Sequence, residues 1–191
     1  MAKVAFDIAL KRRKKVTAVH KANVLKVSDG LFLREVRKVA QDYPGVELEE
    51  TIIDATAALL VRDPARFDVM VTTNMFGDIL SDEAAELSGS IGLAGSLNAG
   101  DGVAVAQAQH GSAPDIAGKD IANPVSLMLS AAMLLDWIST VHKKPVLSGA
   151  AARISEAIDC ALANPATRTR DLGGSLGTQA FADVVVRIIR G

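Results

Sequence analysis

The spacing of apolar side chains predicts helices that alternate with short strands along most of the chain. Residues 2–13 repeat apolar positions on one helical face, and a second helix is predicted from Ser28, its expected cap, to Pro44. Residues 16–20 and 46–53 are predicted strands, the second with Val46, Leu48 and Ile52 inward and Glu47, Glu49 and Thr51 outward. The later predictions are helices at 54–62, 76–87, 125–138, 147–163 and 178–190, and strands at 67–73 and 103–107.

This alternation predicts an α/β fold, in which helices cover a sheet. Glycine, serine and asparagine are frequent in residues 88–102, which predicts a loop and a boundary between two lobes. No Gly-x-Gly-x-x-Gly turn follows a predicted strand, so the usual Rossmann fingerprint is absent from the sequence.

Charge excludes some classes of partner. The net charge is -1, from 21 basic and 22 acidic residues, which gives no electrostatic reason to bind nucleic acid or an anionic membrane. The basic run at residues 11–15 is predicted to be a solvated helix end. No apolar stretch is long enough to cross a bilayer, Cys160 has no second cysteine to pair with, and no signal-peptide pattern is present, so we expect a cytoplasmic protein.

Three aspartates indicate a cation site. Asp78 and Asp82 lie four residues apart and share one face of a predicted helix, while Asp54 follows a predicted strand. Carboxylate oxygens are the ligands that a hard divalent cation such as Mg²⁺ prefers. On spacing alone, a solvated acidic helix face with a helix cap at Asp54 remains open.

Lys21 and a loop of small residues are the other candidates. Lys21 ends a predicted strand, where it is either a proton carrier near carboxylates or a surface lysine in a turn. In the loop at residues 110–119, small side chains allow backbone amides to approach a nucleotide closely. Asp115 in this loop can accept hydrogen bonds from both ribose hydroxyls and would repel a 2′-phosphate.

Four segments, at residues 17–32, 72–93, 110–124 and 169–178, closely resemble one family in order and spacing. They read TAVHKANVLKVSDGLF, TTNMFGDILSDEAAELSGSIGL, HGSAPDIAGKDIANP and TRDLGGSLGT, and resemble the β-decarboxylating dehydrogenases of the isocitrate/isopropylmalate dehydrogenase family. The resemblance implies isopropylmalate dehydrogenase-like sheet-and-helix layers, as a partial fold that lacks the N-terminal half. It implies that residues 1–88 belong to the smaller, dimer-forming lobe and 89–191 close the larger, cofactor-binding lobe.

The resemblance also implies a site shared between the subunits of a homodimer. Asp78 and Asp82 would bind the Mg²⁺ or Mn²⁺ that chelates the substrate, while Asp54 and the catalytic Lys21 would reach in from the neighbouring subunit. Asp115 followed by Ile116 resembles members that use NAD. The residues implied to bind NAD are Asn23 near the nicotinamide, and His110, Gly111, Ser112, Ala113, Pro114, Asp115, Ile116, Ala117 and Asn123 around the adenosine.

The implied reaction is oxidative decarboxylation of a 2-hydroxy di- or tricarboxylate. Isopropylmalate, isocitrate, homoisocitrate and tartrate stay open as substrates, because the substrate-reading half of the family is absent here. Tyr43 cannot take the role of the family's acid tyrosine, and Gln107 stands where many NAD-using members have glutamate. Because the substrate-binding arginines and the acid tyrosine of the family are absent, we expect negligible turnover from this chain alone. The alternative is a non-catalytic, split or degenerate member that dimerises and binds a nucleotide.

Overall fold

The computed structural model describes all residues, 1–191, as two compact units. The first comprises Met1–Ala84 and the second Ala85–Gly191, so the division falls inside helix α4 (Asn74–Leu87). The predicted α/β fold is confirmed, whereas the roles expected of the two lobes stay predictions. None of the helices is both long and apolar enough to cross a membrane.

The first unit is built on a three-stranded parallel sheet in the order β2-β1-β3. Its strands are β1 (Lys15–His20), β2 (Glu47–Ile52) and β3 (Val69–Val71), and its other helices are α1 (Ala2–Leu10), α2 (Ser28–Ala40) and α3 (Ile53–Arg62). The central strand is buried from Val16 to Val19, as its continuous apolar run requires. Because all three strands run in the same direction, the residues that follow them lie at one edge of the sheet.

The second unit packs three helices against a two-stranded antiparallel sheet. The strands are β4 (Gly95–Ala99) and β5 (Ala104–Ala108), and the helices are α5 (Val125–Val141), α6 (Pro145–Ala163) and α7 (Thr178–Arg190). Phe181, Val125 and Ile158 are buried at the centre of its core. A buried serine of α5 joins the helix to both strands, since Ser130 accepts the Ser96 N–H at 2.9 Å and donates to the Gln107 carbonyl at 2.7 Å.

Most of the predicted helices and strands are confirmed, but the loop predicted at residues 88–102 is wrong. It contains a 3-10 turn at Ile91–Leu93 and the whole of β4. The composition is typical of a loop, yet in the fold Gly95 allows α5 to pack directly on the strand, since an added Cβ there would lie 3.1 Å from the Leu129 Cβ. The predicted Ser28 cap is also wrong, because Ser28 is the first residue of α2 and its side chain caps no helix N–H.

Two predictions about charged side chains are corrected by their contacts. Glu49 does not simply face solvent, since it is half-buried and pairs with Lys15 at 3.0 Å and Arg66 at 2.5 Å. The basic run is not only a solvated helix end, because α1 ends at Leu10 and Arg12 binds the buried Asp68 at 2.9 Å. These ion pairs hold the start of the central strand against the segment that precedes β3.

Candidate functional site

The ends of two neighbouring strands bring Lys21 and Asp54 together in the first unit. In the register of β1 and β2, His20 lies opposite Ile52, so the residues just beyond the strands meet at the same edge. Lys21 Nζ forms an ion pair with Asp54 Oδ2. The Lys21 side chain is 24% exposed and that of Asp54 61% exposed, so both remain accessible at the sheet edge. The structure therefore pairs the two residues that the sequence assigns to proton transfer and to cation binding.

Asp78 and Asp82 lie on α4, which follows the third strand. Both are exposed, and their spacing of four residues places them on one helix face. Asn74 donates a hydrogen bond to Asp78 at 3.2 Å. No group of three or more His, Cys, Asp or Glu side chains converges on a possible metal position in this single chain. One copy thus offers two carboxylates on α4 without a third beside them, and the predicted roles of Asp54, Asp78 and Asp82 stay predictions.

The second unit contains a cleft of about 750 Å³. Of the ten residues predicted to bind the nucleotide, seven line this cleft, whereas Pro114 and Asp115 do not. The tenth, Asn23, lies in the first unit, in the turn after β1. The lining comprises Ser90, Ile91, Gly92, His110, Gly111, Ser112, Ala113, Ile116, Ala117, Gly118, Asp120, Ile121, Ala122, Asn123, Asp171 and Thr178. The sequence therefore predicts one wall of a real cavity, while the ribose contact predicted for Asp115 stays a prediction.

Backbone conformation and hydrogen bonds fix the shape of the loop at residues 110–119, which forms one wall of the cleft. Ala113 adopts a left-handed conformation, with φ 41°, and is followed by the 3-10 turn Pro114–Ile116. At the far end of the loop, Asp120 is fixed to the start of α7, where its carboxylate accepts the Gln179 N–H at 2.9 Å. Opposite, an added Cβ on Gly92 would lie 2.8 Å from the Asn123 Cβ, so only glycine permits this close approach.

Asp171 joins three segments at the floor of the cleft. Its Oδ2 accepts hydrogen bonds from Ser90 Oγ at 2.6 Å and from Asn123 Nδ2 at 2.9 Å. Asn123 in turn accepts the Val125 N–H at 3.0 Å, at the start of α5. Burial raises the pKa of the Asp171 carboxyl, but hydrogen bonds from Ser90 and Asn123 outweigh burial and hold that pKa below the ordinary aspartate value.

Neither Asp171 nor Ser90 was assigned a role from the sequence. Both lie in segments that carry the family resemblance, but 81 positions separate them along the chain. A carboxylate beside Gly173-Gly174 is the one local signal, and it does not identify a partner. Only the folded chain shows that these residues share a hydrogen-bond network.

We expect replacement of Asp171 by asparagine to flatten the acid limb of the stability profile. A carboxyl whose pKa is depressed by folding stabilises the native state above its ordinary pKa, and that contribution disappears as pH falls through the folded value. The difference in unfolding free energy between wild type and D171N should therefore be largest near neutral pH and shrink in acid. Urea unfolding followed from about pH 6 to about pH 3 measures it.

Asp159→Asn on the exposed side of α6 is the matched control, since it removes the same charge from the same unit. The unfolding free energy of D159N should change with pH in the same way as that of wild type over this range. If D171N also ran parallel to wild type, the hydrogen bonds to Asp171 would not be stabilising its charged form.

Comparison with known proteins gives a consistent result over nearly the whole chain. The family model described as "Isocitrate/isopropylmalate dehydrogenase" matches residues 1–185. Homoisocitrate dehydrogenase of Methanocaldococcus jannaschii is 48% identical over 187 residues, which are 97% of this chain and 51% of that protein. 3-Isopropylmalate dehydrogenase of Archaeoglobus fulgidus is 46% identical over 190 residues, 99% of this chain and 56% of that protein.

A solved structure gives the same answer for the fold. The crystal structure of isocitrate dehydrogenase from Methylococcus capsulatus matches with a TM-score of 0.90 and 44% sequence identity, over 100% of this chain and 55% of that one. The chain spans about half the length of the curated relatives it matches. The resemblance read from the four sequence segments is confirmed.

Proposed function

The chain belongs to the isocitrate/isopropylmalate dehydrogenase family, and from this premise we propose that it forms part of an NAD-linked, divalent-metal-dependent enzyme that oxidises and decarboxylates a 2-hydroxy acid. The observation that carries the proposal is the cleft of the second unit, because the loop expected to bind adenosine lines a cavity of about 750 Å³. That size is in the range of ligand and cofactor pockets.

The chemistry of the cleft fits NAD better than NADP. Its lining is mainly small side chains and accessible backbone, which suits close contact with an adenosine. No lysine or arginine lines it, and Asp120 and Asp171 do. A 2′-phosphate would find no cationic side chain among the lining residues and would meet two carboxylates, whereas free ribose hydroxyls would not be repelled.

The α4 carboxylates fit a divalent cation held between two copies of the chain. Asp78 and Asp82 would hold Mg²⁺ or Mn²⁺ together with Asp54 of a second copy. Met75 and Ile79, on the same helix face, are 60% and 58% exposed. Exposed apolar side chains beside carboxylates are what a subunit interface covers. When bound, the cation supplies Lewis-acid polarisation of the substrate oxygens.

Lys21 is the group that we assign to proton transfer. Lys21 directly follows the buried strand β1, and its side chain is held by Asp54, so it is positioned at the sheet edge without being enclosed. In the proposed reaction the Lys21 amine would first release the proton that its ion pair with Asp54 holds, and would then take up the proton of the substrate 2-hydroxyl group, or orient a base that does so. Bound NAD⁺ would supply the hydride acceptor. The substrate is a 2-hydroxy di- or tricarboxylate of the isopropylmalate, isocitrate or tartrate type.

Calorimetric titration of the chain with NAD⁺ and with NADP⁺ tests the assignment of the cleft. We expect NAD⁺ to bind at least about 10-fold more tightly than NADP⁺, a difference of about 1.4 kcal/mol. Gly92→Ala should weaken NAD⁺ binding, because its new methyl group displaces Asn123 from the lining. Gly149→Ala on α6, where an added Cβ meets nothing within 4 Å, is the control and should bind like wild type.

Failure to bind either dinucleotide would contradict the proposal, and equal affinities would contradict the NAD assignment. Binding of NAD⁺ without turnover, even after addition of the half that full-length relatives possess, would favour the non-catalytic alternative. These outcomes separate the nucleotide site from the reaction.

A further inference from the structure

The turn after β1 is fixed by two side chains that bind consecutive backbone amides. The Lys21 N–H donates to Asp29 Oδ2 at 2.6 Å, and the Ala22 N–H donates to His20 Nδ1 at 3.1 Å. Asp29 lies in the first turn of α2, eight residues beyond Lys21, and is only 2% exposed. The backbone of Lys21 is therefore held from one side by a buried carboxylate, while its side chain is held from the other by Asp54.

A buried carboxylate is costly unless hydrogen bonds compensate for its lost hydration. The other contact of Asp29 is a long one, 3.4 Å from Ser28 Oγ, so the short bond to the Lys21 amide is its main compensation. None of the ion pairs of the chain includes Asp29. An apolar side chain at this buried position would avoid that cost, which indicates that the carboxylate serves the bond it makes.

We propose that Asp29 is a positioning residue for Lys21, an inference that rests on the proton-transfer role assigned to Lys21 above. The strand ladder ends at His20, so the backbone of Lys21 has no β2 partner. The hydrogen bond to Asp29 replaces that partner and fixes the direction in which the Lys21 side chain leaves the sheet. Without it, the Lys21 carbonyl still accepts the Val24 and Leu25 N–H groups at 2.9 and 2.8 Å, but the Lys21 N–H has no acceptor. We expect the Lys21 backbone to turn away from its present direction, so that the contact with Asp54 is lost.

Two substitutions at one position separate the hydrogen bond from simple packing. Asp29→Leu keeps the branching and the number of heavy atoms, in a larger volume, but cannot accept the Lys21 N–H, whereas Asp29→Asn keeps both the size and an accepting oxygen. Reductive ¹³C-methylation labels each lysine nitrogen and retains its charge, and NMR then resolves the individual methyl signals. The Lys21 signal is the one that disappears in the Lys21→Arg variant. The Asp54→Asn variant gives the chemical shift of that signal when the ion pair is absent.

We expect D29L to move the Lys21 signal to the position it takes in D54N, and D29N to return it close to the wild-type position. Lys15, at the other end of β1 and paired with Glu49 at 3.0 Å, is the internal control, and its signal should stay in place. An unchanged Lys21 signal in D29L would overturn the inference. A shift of both lysines together would also overturn it, because Asp29 would then act only on the fold. Loss of nucleotide binding would leave this result untouched, so the two proposals fail separately.

Discussion

Gly174→Ala is expected to destabilise the second unit by about 3 kcal/mol or more, because the added methyl group has no space. A Cβ at this position would lie 2.0 Å from the carbonyl oxygen of Arg168 and 2.4 Å from its carbonyl carbon. That oxygen accepts the Leu176 N–H at 3.1 Å, so it cannot move without breaking the bridge that closes the segment. Backbone, unlike the end of a flexible side chain, cannot be displaced cheaply.

Chemical denaturation followed by circular dichroism measures this change. Gly149→Ala is the matched control, since it adds the same methyl group to the same unit at an exposed site inside α6. Alanine is the better helix former, and the control should gain up to about 1 kcal/mol. Equal stability of the two variants would show that the segment around Gly174 is able to relax around a methyl group.

The same substitution should affect the cleft, because Gly174 closes the segment that carries Asp171. Displacement of Arg168 would shift Asp171 away from Ser90 and Asn123, whose hydrogen bonds it accepts. Gly174→Ala is therefore expected to weaken NAD⁺ binding under conditions in which the second unit is still folded. Hydrogen exchange at the Ser90 and Asn123 segments would report the loosened network directly.

The parts of the fold that depend only on neighbouring residues along the chain could be predicted from the sequence. The buried strand β1 was visible as a continuous apolar run, and α4 as a helical repeat that places Asp78 and Asp82 on one face. Parallel strands put their carboxyl ends at one edge, so the meeting of Lys21 with Asp54 follows from the α/β pattern.

What could not be predicted depends on contacts between distant residues. β4 has the composition of a loop and becomes a strand because α5 packs on it through Ser130. Asp29 looks like an ordinary residue of a helix first turn, and nothing local shows that it binds the Lys21 amide. Likewise, no role can be assigned to Asp171 until the fold places Ser90 and Asn123 beside it. The role of such a hydrogen-bonding group can be assigned only when its partner is known, and the tertiary fold determines which residue is the partner.

Replacing Asp78 and Asp82 together by asparagine is expected to lower Mn²⁺ affinity by on the order of 100-fold, since two charged oxygen ligands are lost. The signal of free Mn²⁺ in electron paramagnetic resonance measures binding. A matched control removes two acidic charges from an exposed helix face elsewhere, by Glu156→Gln with Asp159→Asn on α6. The control should bind Mn²⁺ like wild type, because the effect depends on position and not on total charge.

Mixing variants distinguishes a site shared by two copies from a site within one. Asp54→Asn should also lose Mn²⁺ binding, since no three ligand groups converge within one chain and Asp54 would act on the neighbouring copy. In an exchanged mixture of D54N with the Asp78/Asp82 variant, each mixed dimer regains one intact site. Equal amounts should therefore restore about a quarter of the wild-type sites. A site formed within one chain would recover nothing, because every copy in the mixture lacks a ligand, and that result would remove the basis for assigning Lys21 and Asp54 to the neighbouring subunit.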